Sequence, residues 1–299
     1  LRILFSRIFP IQKDWDPNLE TAVINIRLPR IVMACLVGCS LSAAGAAYQG
    51  VFQNPMASPD ILGASSGAAF GAALAILLGF GSVGITISAF FFSLLTVALV
   101  YLIGQRAQGK RILNLVLAGM VVSSLFTAGT SYIKLVADPT NQLPAITYWL
   151  MGSLSGVRMT KVLYIFPVML LGLVPLFLLR WKINLLTLGD EEAQAMGIHP
   201  VRLRFVIVIC ATLVTSASIS VAGTIGWVGL VVPHLSRKLT GSNFKKLLPA
   251  SMLAGAAFLL LVDDLSRNLL ATEIPIGILT AFIGAPFFLY MMLRKEGVH

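Results

Sequence analysis

ILGASSGAAFGAALAILLGFGSVGITISAFFFSLLTVALVYLIG, residues 61–104, carries no charged side chain from end to end. It reads as two apolar runs, 61–80 and 82–104, each near the ~20 residues that cross a bilayer core. Lipid offers no hydrogen bonds, so each run has to be a helix, or irregular backbone hidden inside a helical bundle. The pattern recurs at about 30–50, 112–136, 160–180, 203–222, a short run near 226–238, 247–266 and 276–293, roughly nine spans in all. A length of 299 residues would allow two soluble domains. A mean hydropathy of +0.89, with 57% hydrophobic and 11% charged residues, excludes them. The expectation is an all-α polytopic membrane protein, with an extracytoplasmic segment at 1–29 and one transmembrane domain at 30–299.

The net charge of +10 does not point to nucleic acid. Its distribution follows the spans. Arg106, Lys110 and Arg111 share one loop, and Arg180, Lys182, Arg202 and Arg204 flank another. Arg237, Lys238, Lys245 and Lys246 fill a third, and Arg294 and Lys295 follow the last span. With alternating spans these loops all fall on one side, the positive-inside pattern of cytoplasmic loops. That orientation puts the start of the chain outside. The chain does not begin with Met, and residues 1–29, broken by Pro10, Asp14, Asp16 and Pro17, form no span. A tenth span ahead of Leu1 would restore an inside N-terminus.

Chemistry is sparse. Cys35, Cys39 and Cys210 lie within spans and are too few for a metal site, so they read as small packing residues. GQRAQGKR at 104–111 comes within one residue of the phosphate loop GxxxxGK[ST], but Arg111 stands at the hydroxyl position and a membrane helix, not a strand, leads into it. It is a basic membrane-flanking loop, and the chain has no visible ATP site. No HExxH, serine-hydrolase elbow or intramembrane carboxylate pair is present in the sequence.

Other features remain. Gly63, Gly67 and Gly71 share a helix face, as do Gly38, Ser42, Ala46 and Gly50 on the preceding span. Such stripes allow close helix approach in lipid; they also suit the lining of a path. QNPMASPD at 53–60 is a rigid turn without Lys or Arg on the expected cytoplasmic side, which fits a packed functional loop. Arg27, Arg30 and Arg267 fall at extracytoplasmic span ends, as headgroup anchors or as a basic rim for an acidic partner. Arg267 has Asp263 and Asp264 at helical spacing. Finally, TLGDEEAQAMGIHP at 187–200 gathers three of the chain's 12 acids between two apolar runs.

IRLPR at 26–30, GAAYQGVFQNPMASPDILGASSGAAFGAA at 45–73, LTLGDEEAQAMGI at 186–198, GWVGLVVPHLSRKLTG at 226–241 and EIPIGILTAFIGAPFFLYMM at 273–292 resemble, in order, the FecCD family of iron-chelate and cobalamin uptake permeases. The resemblance implies the type II ABC importer permease fold, ten helices in the family against nine here, as though the first were missing. It implies the inner-membrane subunit of an importer for a metal chelate, such as a ferric siderophore or haem, with cobalamin or molybdate and tungstate as alternatives. The implied partners are a second permease subunit, commonly a homodimer, two cytoplasmic ATPases that bind the ATP and Mg, and a periplasmic or lipoprotein binding protein. No cofactor is implied on this subunit.

The resemblance also assigns residues. LGDEEAQAMG matches the family's coupling segment to the ATPase, with Leu188, Gly189, Asp190, Glu191, Glu192, Ala195, Met196 and Gly197. Physically, Leu188, Glu192, Ala195 and Met196 share one face of a short helix bounded by the two glycines, with acids in its first turn. Arg27, Arg30 and Arg267 match the docking pockets for glutamates of the binding protein. Asn54 and Met56 match a cytoplasmic gate, near Gly63 and Gly67 on the path; a second gate position, small and polar in the family, is Ile112 and Leu113 here. The rival, an ion-driven secondary transporter, requires ionisable residues at mid-membrane. The sequence offers almost none, since Asp263 and Asp264 lie near a span end.

Overall fold

The computed structural model describes residues 15–107 and 111–293. Lys110, Arg294 and Lys295 of the basic pattern lie outside the described residues, as do Pro10 and Asp14. Among the described residues the chain is helical, without strands. The α-helices are α1 (Pro17–Ala22), α2 (Leu28–Val51), α3 (Ala64–Leu77), α4 (Ser82–Arg106), α5 (Arg111–Val136) and α6 (Gln142–Met151). They continue with α7 (Met159–Leu188), α8 (Asp190–Ala195), α9 (Pro200–Ala222), α10 (Val228–Thr240), α11 (Phe244–Asn268) and α12 (Ile276–Leu293). Among the described residues six helical runs are long and apolar enough to cross a membrane, and α3 and most of α12 are shorter apolar helices.

The first crossing starts earlier than the sequence suggests. α1 and α2 join through a π-helical turn at Val23–Arg27, so helix runs unbroken from Pro17. Pro29 has no N–H to offer the turn before it, and the π turn absorbs the mismatch.

α2 is the centre of the bundle. It packs against α7, α9, α10 and α11, and its small residues set the distances. A Cβ on Gly38 would lie 2.1 Å from the carbonyl oxygen of Gly255 on α11, and one on Gly45 1.8 Å from that of Gly229 on α10. Between apolar lipid and apolar side chains there is little hydrophobic force to gather helices, so close backbone packing supplies the contact.

The expected span at 61–80 is corrected. α3 has only 14 residues, about 21 Å of helix. The missing depth comes from residues 52–63, which turn at the end of α2 and climb back between the helices through a 3-10 turn, Pro59–Leu62. Gly229 brings Pro59 against Leu41, in the middle of α2, and Gly63 lies against Thr96 and Ser123, in the middle of α4 and α5. Pro59–Gly63 therefore sits at mid-depth. A second feature lies between the expected spans: α6 is a ten-residue half-helix that ends at Gly152 (φ +74). There the chain reverses, with Ser153 N–H bonded to Ala222 O and Ile276 N–H to Gly152 O.

α7 is 30 residues long, about 45 Å, against a hydrocarbon thickness of about 30 Å. It carries the chain clear of the apolar slab before α8 begins. Asn184 near its end bonds to Asn243 and Phe244 at the start of α11, and Gln53 bonds to Leu186. Gln49 on α2 accepts from Arg237, and Tyr101 on α4 packs on Phe205 of α9. These contacts bring Arg106, Arg180, Lys182, Arg202, Arg204, Arg237, Lys238, Lys245 and Lys246 to one end of the bundle.

Candidate functional site

The basic end carries the acidic segment. Gly189 (φ +134) turns the chain out of α7, and α8 follows with Asp190, Glu191 and Glu192 in its first turn. Acids there complement the unpaired N–H groups of the helix start. Two contacts hold the helix down. Ala193 is fully buried. Arg204 on α9 grips Asp190 with a hydrogen bond from Nη1 to Oδ2 at 2.7 Å and an ion-pair contact of Nη2 with Oδ1 at 2.6 Å, so both arms of the arginine fork face the carboxylate. Asp190 is thus an internal fastener. Gly197 (φ +76) ends the turn.

Leu188, Glu191, Glu192, Ala195 and Met196 are left exposed. Leu188 and Met196 are 60% and 50% accessible, at an end of the bundle that lies beyond the apolar slab. Beside them is a shallow depression of about 470 Å³ between α7 and the start of α11, lined by Trp181, Asn184 and Lys245 among others. The arrangement is a pinned helix presenting a methionine, a leucine and two carboxylates outward.

The three arginines at the other end do not share one environment. Arg27 is exposed, on the π turn. Arg30 is buried: Nε lies 2.9 and 3.1 Å from the Asp263 carboxylate, and Nη1 2.8 and 3.0 Å from that of Glu273. Arg267, whose side chain is 21% accessible, pairs with Asp263 at 3.5 Å and with Asp264. Two of the three cations, Arg30 and Arg267, meet three carboxylates, so this end has no free basic rim built from all three arginines. The Arg30 partners, Asp263 and Glu273, were not legible from sequence spacing.

Asn54 and Met56 are exposed at the turn after α2, where Asn54 Oδ1 accepts from Met56 N–H at 2.9 Å. Gly63 and Gly67 are buried: a Cβ on Gly67 would lie 2.0 Å from Thr96 Oγ1, and one on Gly63 2.6 Å from Ser123 Oγ. In this conformation both pack α3 against α4 and α5 and line no open space. Ile112 is half-buried and Leu113 exposed. The cysteines are unpaired, and among the described residues no cluster of metal ligands forms.

One residue was missed as a candidate. Asp60, in the 3-10 turn at mid-depth, is exposed and accepts a hydrogen bond from Ser65. It opens on a cavity of about 730 Å³ between the end of α6, Trp227 and α12. The turn-rich string around it hid its depth.

The sequence model of the FecCD transport family matches residues 2–294. The molybdate import system permease MolB of Haemophilus influenzae is 42% identical over 286 residues, 95% of this chain and 85% of that protein. A probable iron chelatin transport system permease of Helicobacter pylori is 42% identical over 281 residues, 94% of this chain and 85% of the relative. A solved transporter assigned to the metal-chelate type of ABC transporters, in an inward-facing conformation, superposes with a TM-score of 0.89 at 40% identity, covering 96% of this chain and 91% of its own.

Proposed function

The chain belongs to the FecCD transport family, and from that premise we propose that it is the membrane-spanning permease subunit of an ATP-binding-cassette importer for a metal chelate, foremost an iron complex. The observation that carries this reading is α8, pinned by Arg204 and Ala193 yet open at Glu192 and at its flanking residues Leu188 and Met196. A solvated loop gains nothing from exposing Met and Leu on a fixed scaffold; a helix that seats in a groove of a partner does.

In this reading the basic end faces the cytoplasm of a prokaryotic cell, and two ATPase subunits bind there, one per permease of a homodimer. ATP and Mg belong to those subunits. The permease supplies two conformations, one open to a docked binding protein and one to the cytoplasm. ATP shifts the balance by its different affinity for the two states, and α8, joined to α7 through Gly189 and tied to α9 by Arg204, passes the closure of the ATPases to the spans. Asn54 and Met56, exposed at the cytoplasmic turn, act at the exit. Docking of the binding protein falls chiefly to Arg27 and to the accessible part of Arg267, because the Arg30 guanidinium is engaged inside the protein.

The metal-chelate reading draws on the Helicobacter relative and on the solved transporter. A second cargo, molybdate, is favoured by the Haemophilus relative at the same identity. Proteoliposomes holding the permease, its ATPase and its binding protein separate the two: ATP-dependent uptake of a labelled ferric chelate, with none of molybdate, is the expected result. Uptake of molybdate alone reverses the cargo, and uptake without ATP removes the importer class.

A further inference from the structure

Resting on the importer reading, we propose that Asp60 faces the translocation path and selects cargo by charge, admitting chelates that present neutral or cationic faces and disfavouring compact oxyanions. Three observations meet here. Asp60 sits at mid-depth, because the turn that carries it packs between the middles of α2, α4 and α5. Its carboxylate is exposed, with Ser65 as a hydrogen-bond donor on one side. An exposed carboxylate at that depth is costly against lipid tails, so this face of the bundle borders water or protein. The cavity in front of it, about 730 Å³, has the volume of a small-molecule site.

The walls fit a passage. Gly277, Ala281 and Ala285 stand at i, i+4 and i+8 on α12 and line the cavity with small side chains. Trp227 and Phe282 contribute aromatic surface, and Trp227 is fixed by its contact with Gly284 and by Phe288 at a ring distance of 6.1 Å. Of the residues described as lining the cavity, Asp60 alone is charged. Its field is therefore not offset locally, and in a two-fold dimer a second Asp60 would face the same path. Hydroxyl, amide or ammonium groups of a chelate can donate to such carboxylates. A tetrahedral dianion is repelled by the carboxylate, and no Lys or Arg among the lining residues offsets that repulsion.

The test reads the local potential without cargo. Ala281→Cys is introduced with Cys35, Cys39 and Cys210 replaced by Ala, and the assembled transporter is reconstituted in liposomes. The rates of modification by a cationic trimethylammonium-ethyl and an anionic sulfonatoethyl methanethiosulfonate are each divided by their rates with free 2-mercaptoethanol. The expected cation-to-anion ratio is about tenfold or more with Asp60 or Asp60→Glu, falling to near one in Asp60→Asn. A ratio near one with Asp60 in place overturns the proposal, and so does failure of both reagents to label. Because labelling needs neither ATP nor cargo, either result leaves the importer reading to stand or fall on the uptake assay. Should Asp60→Asn not assemble, the ratio measured with Asp60 present still decides.

Discussion

Arg30 on α2 and Asp263 on α11 lie 233 residues apart in sequence and meet as a buried pair, Nε 2.9 Å from Oδ1. The pair ties the central helix to α11 at the end of the bundle away from α8. Removing one partner of such a pair strands a buried charge and costs about 3–5 kcal/mol, whereas replacing both by apolar groups is often neutral. Asp263→Ala should therefore lower the thermal midpoint of the detergent-solubilised protein clearly. Arg30→Met with Asp263→Leu should recover part of it, since Glu273 then loses Arg30 and Arg267 loses Asp263. Equal stability of Asp263→Ala and the parent would show the pair to be dispensable.

Docking should depend on the arginine that is free. Arg27→Glu removes one exposed attraction and adds a repulsion, each on the order of 0.2–1 kcal/mol. Binding-protein affinity for the reconstituted transporter should fall by about twofold to thirtyfold, with a weaker salt dependence. Arg267→Ala should have a smaller effect, since Asp263 and Asp264 already hold that side chain. Unchanged affinity and salt response in Arg27→Glu would return this residue to a headgroup anchor.

The packing of α2 makes a steric prediction. Gly45→Ala would drive a methyl into the Gly229 carbonyl, at 1.8 Å. Overpacking costs about 1–3 kcal/mol, and more where the obstacle is backbone. Gly81→Ala meets nothing within 4 Å and serves as the control. Thermal midpoints should fall for the first and hold for the second; a tolerated Gly45→Ala would mean that α2 and α10 are free to separate.

Acid should loosen the turn between α5 and α6. The Asp138 carboxyl is held below its ordinary value by hydrogen bonds from the backbone N–H groups of Thr140 and Asn141. Its contribution is present above the ordinary carboxylate value and is lost as pH falls through the lowered folded one. Amide exchange at Thr140 and Asn141, corrected for intrinsic rate, should show protection at neutral pH that disappears on acidification, and none at any pH in Asp138→Ala. Protection that persists in acid would assign the order of the turn to other contacts.

The bundle was largely legible because membrane spans declare themselves by composition: charge-free runs and basic loops need no tertiary information. The small-residue stripes suit close packing or the lining of a path alike, and Gly67 against Thr96 shows the packing use in this conformation. What escaped depended on distant partners or on short elements. α6 has ten residues, too few for a span signal. Arg30 looked like a surface cation because nothing local reveals Asp263 and Glu273 closing over it. Asp60 looked cytoplasmic because Pro55 and Pro59 advertise a turn, and a turn that climbs back to mid-membrane has the same local sequence as one that does not.

The coupling role proposed for α8 is reached most directly by one measurement: ATP hydrolysed and cargo taken up, in the same proteoliposomes, by Glu192→Ala combined with Met196→Ala. Both side chains are exposed and neither has a fastening role, which falls to Asp190 with Arg204 and to Ala193. The permease should thus remain folded and keep its thermal midpoint, while uptake per ATP hydrolysed falls on the order of tenfold or more, as truncation of interface anchors does. Parental uptake per ATP in the double variant would contradict the assignment of α8 as the element through which the ATPase drives transport.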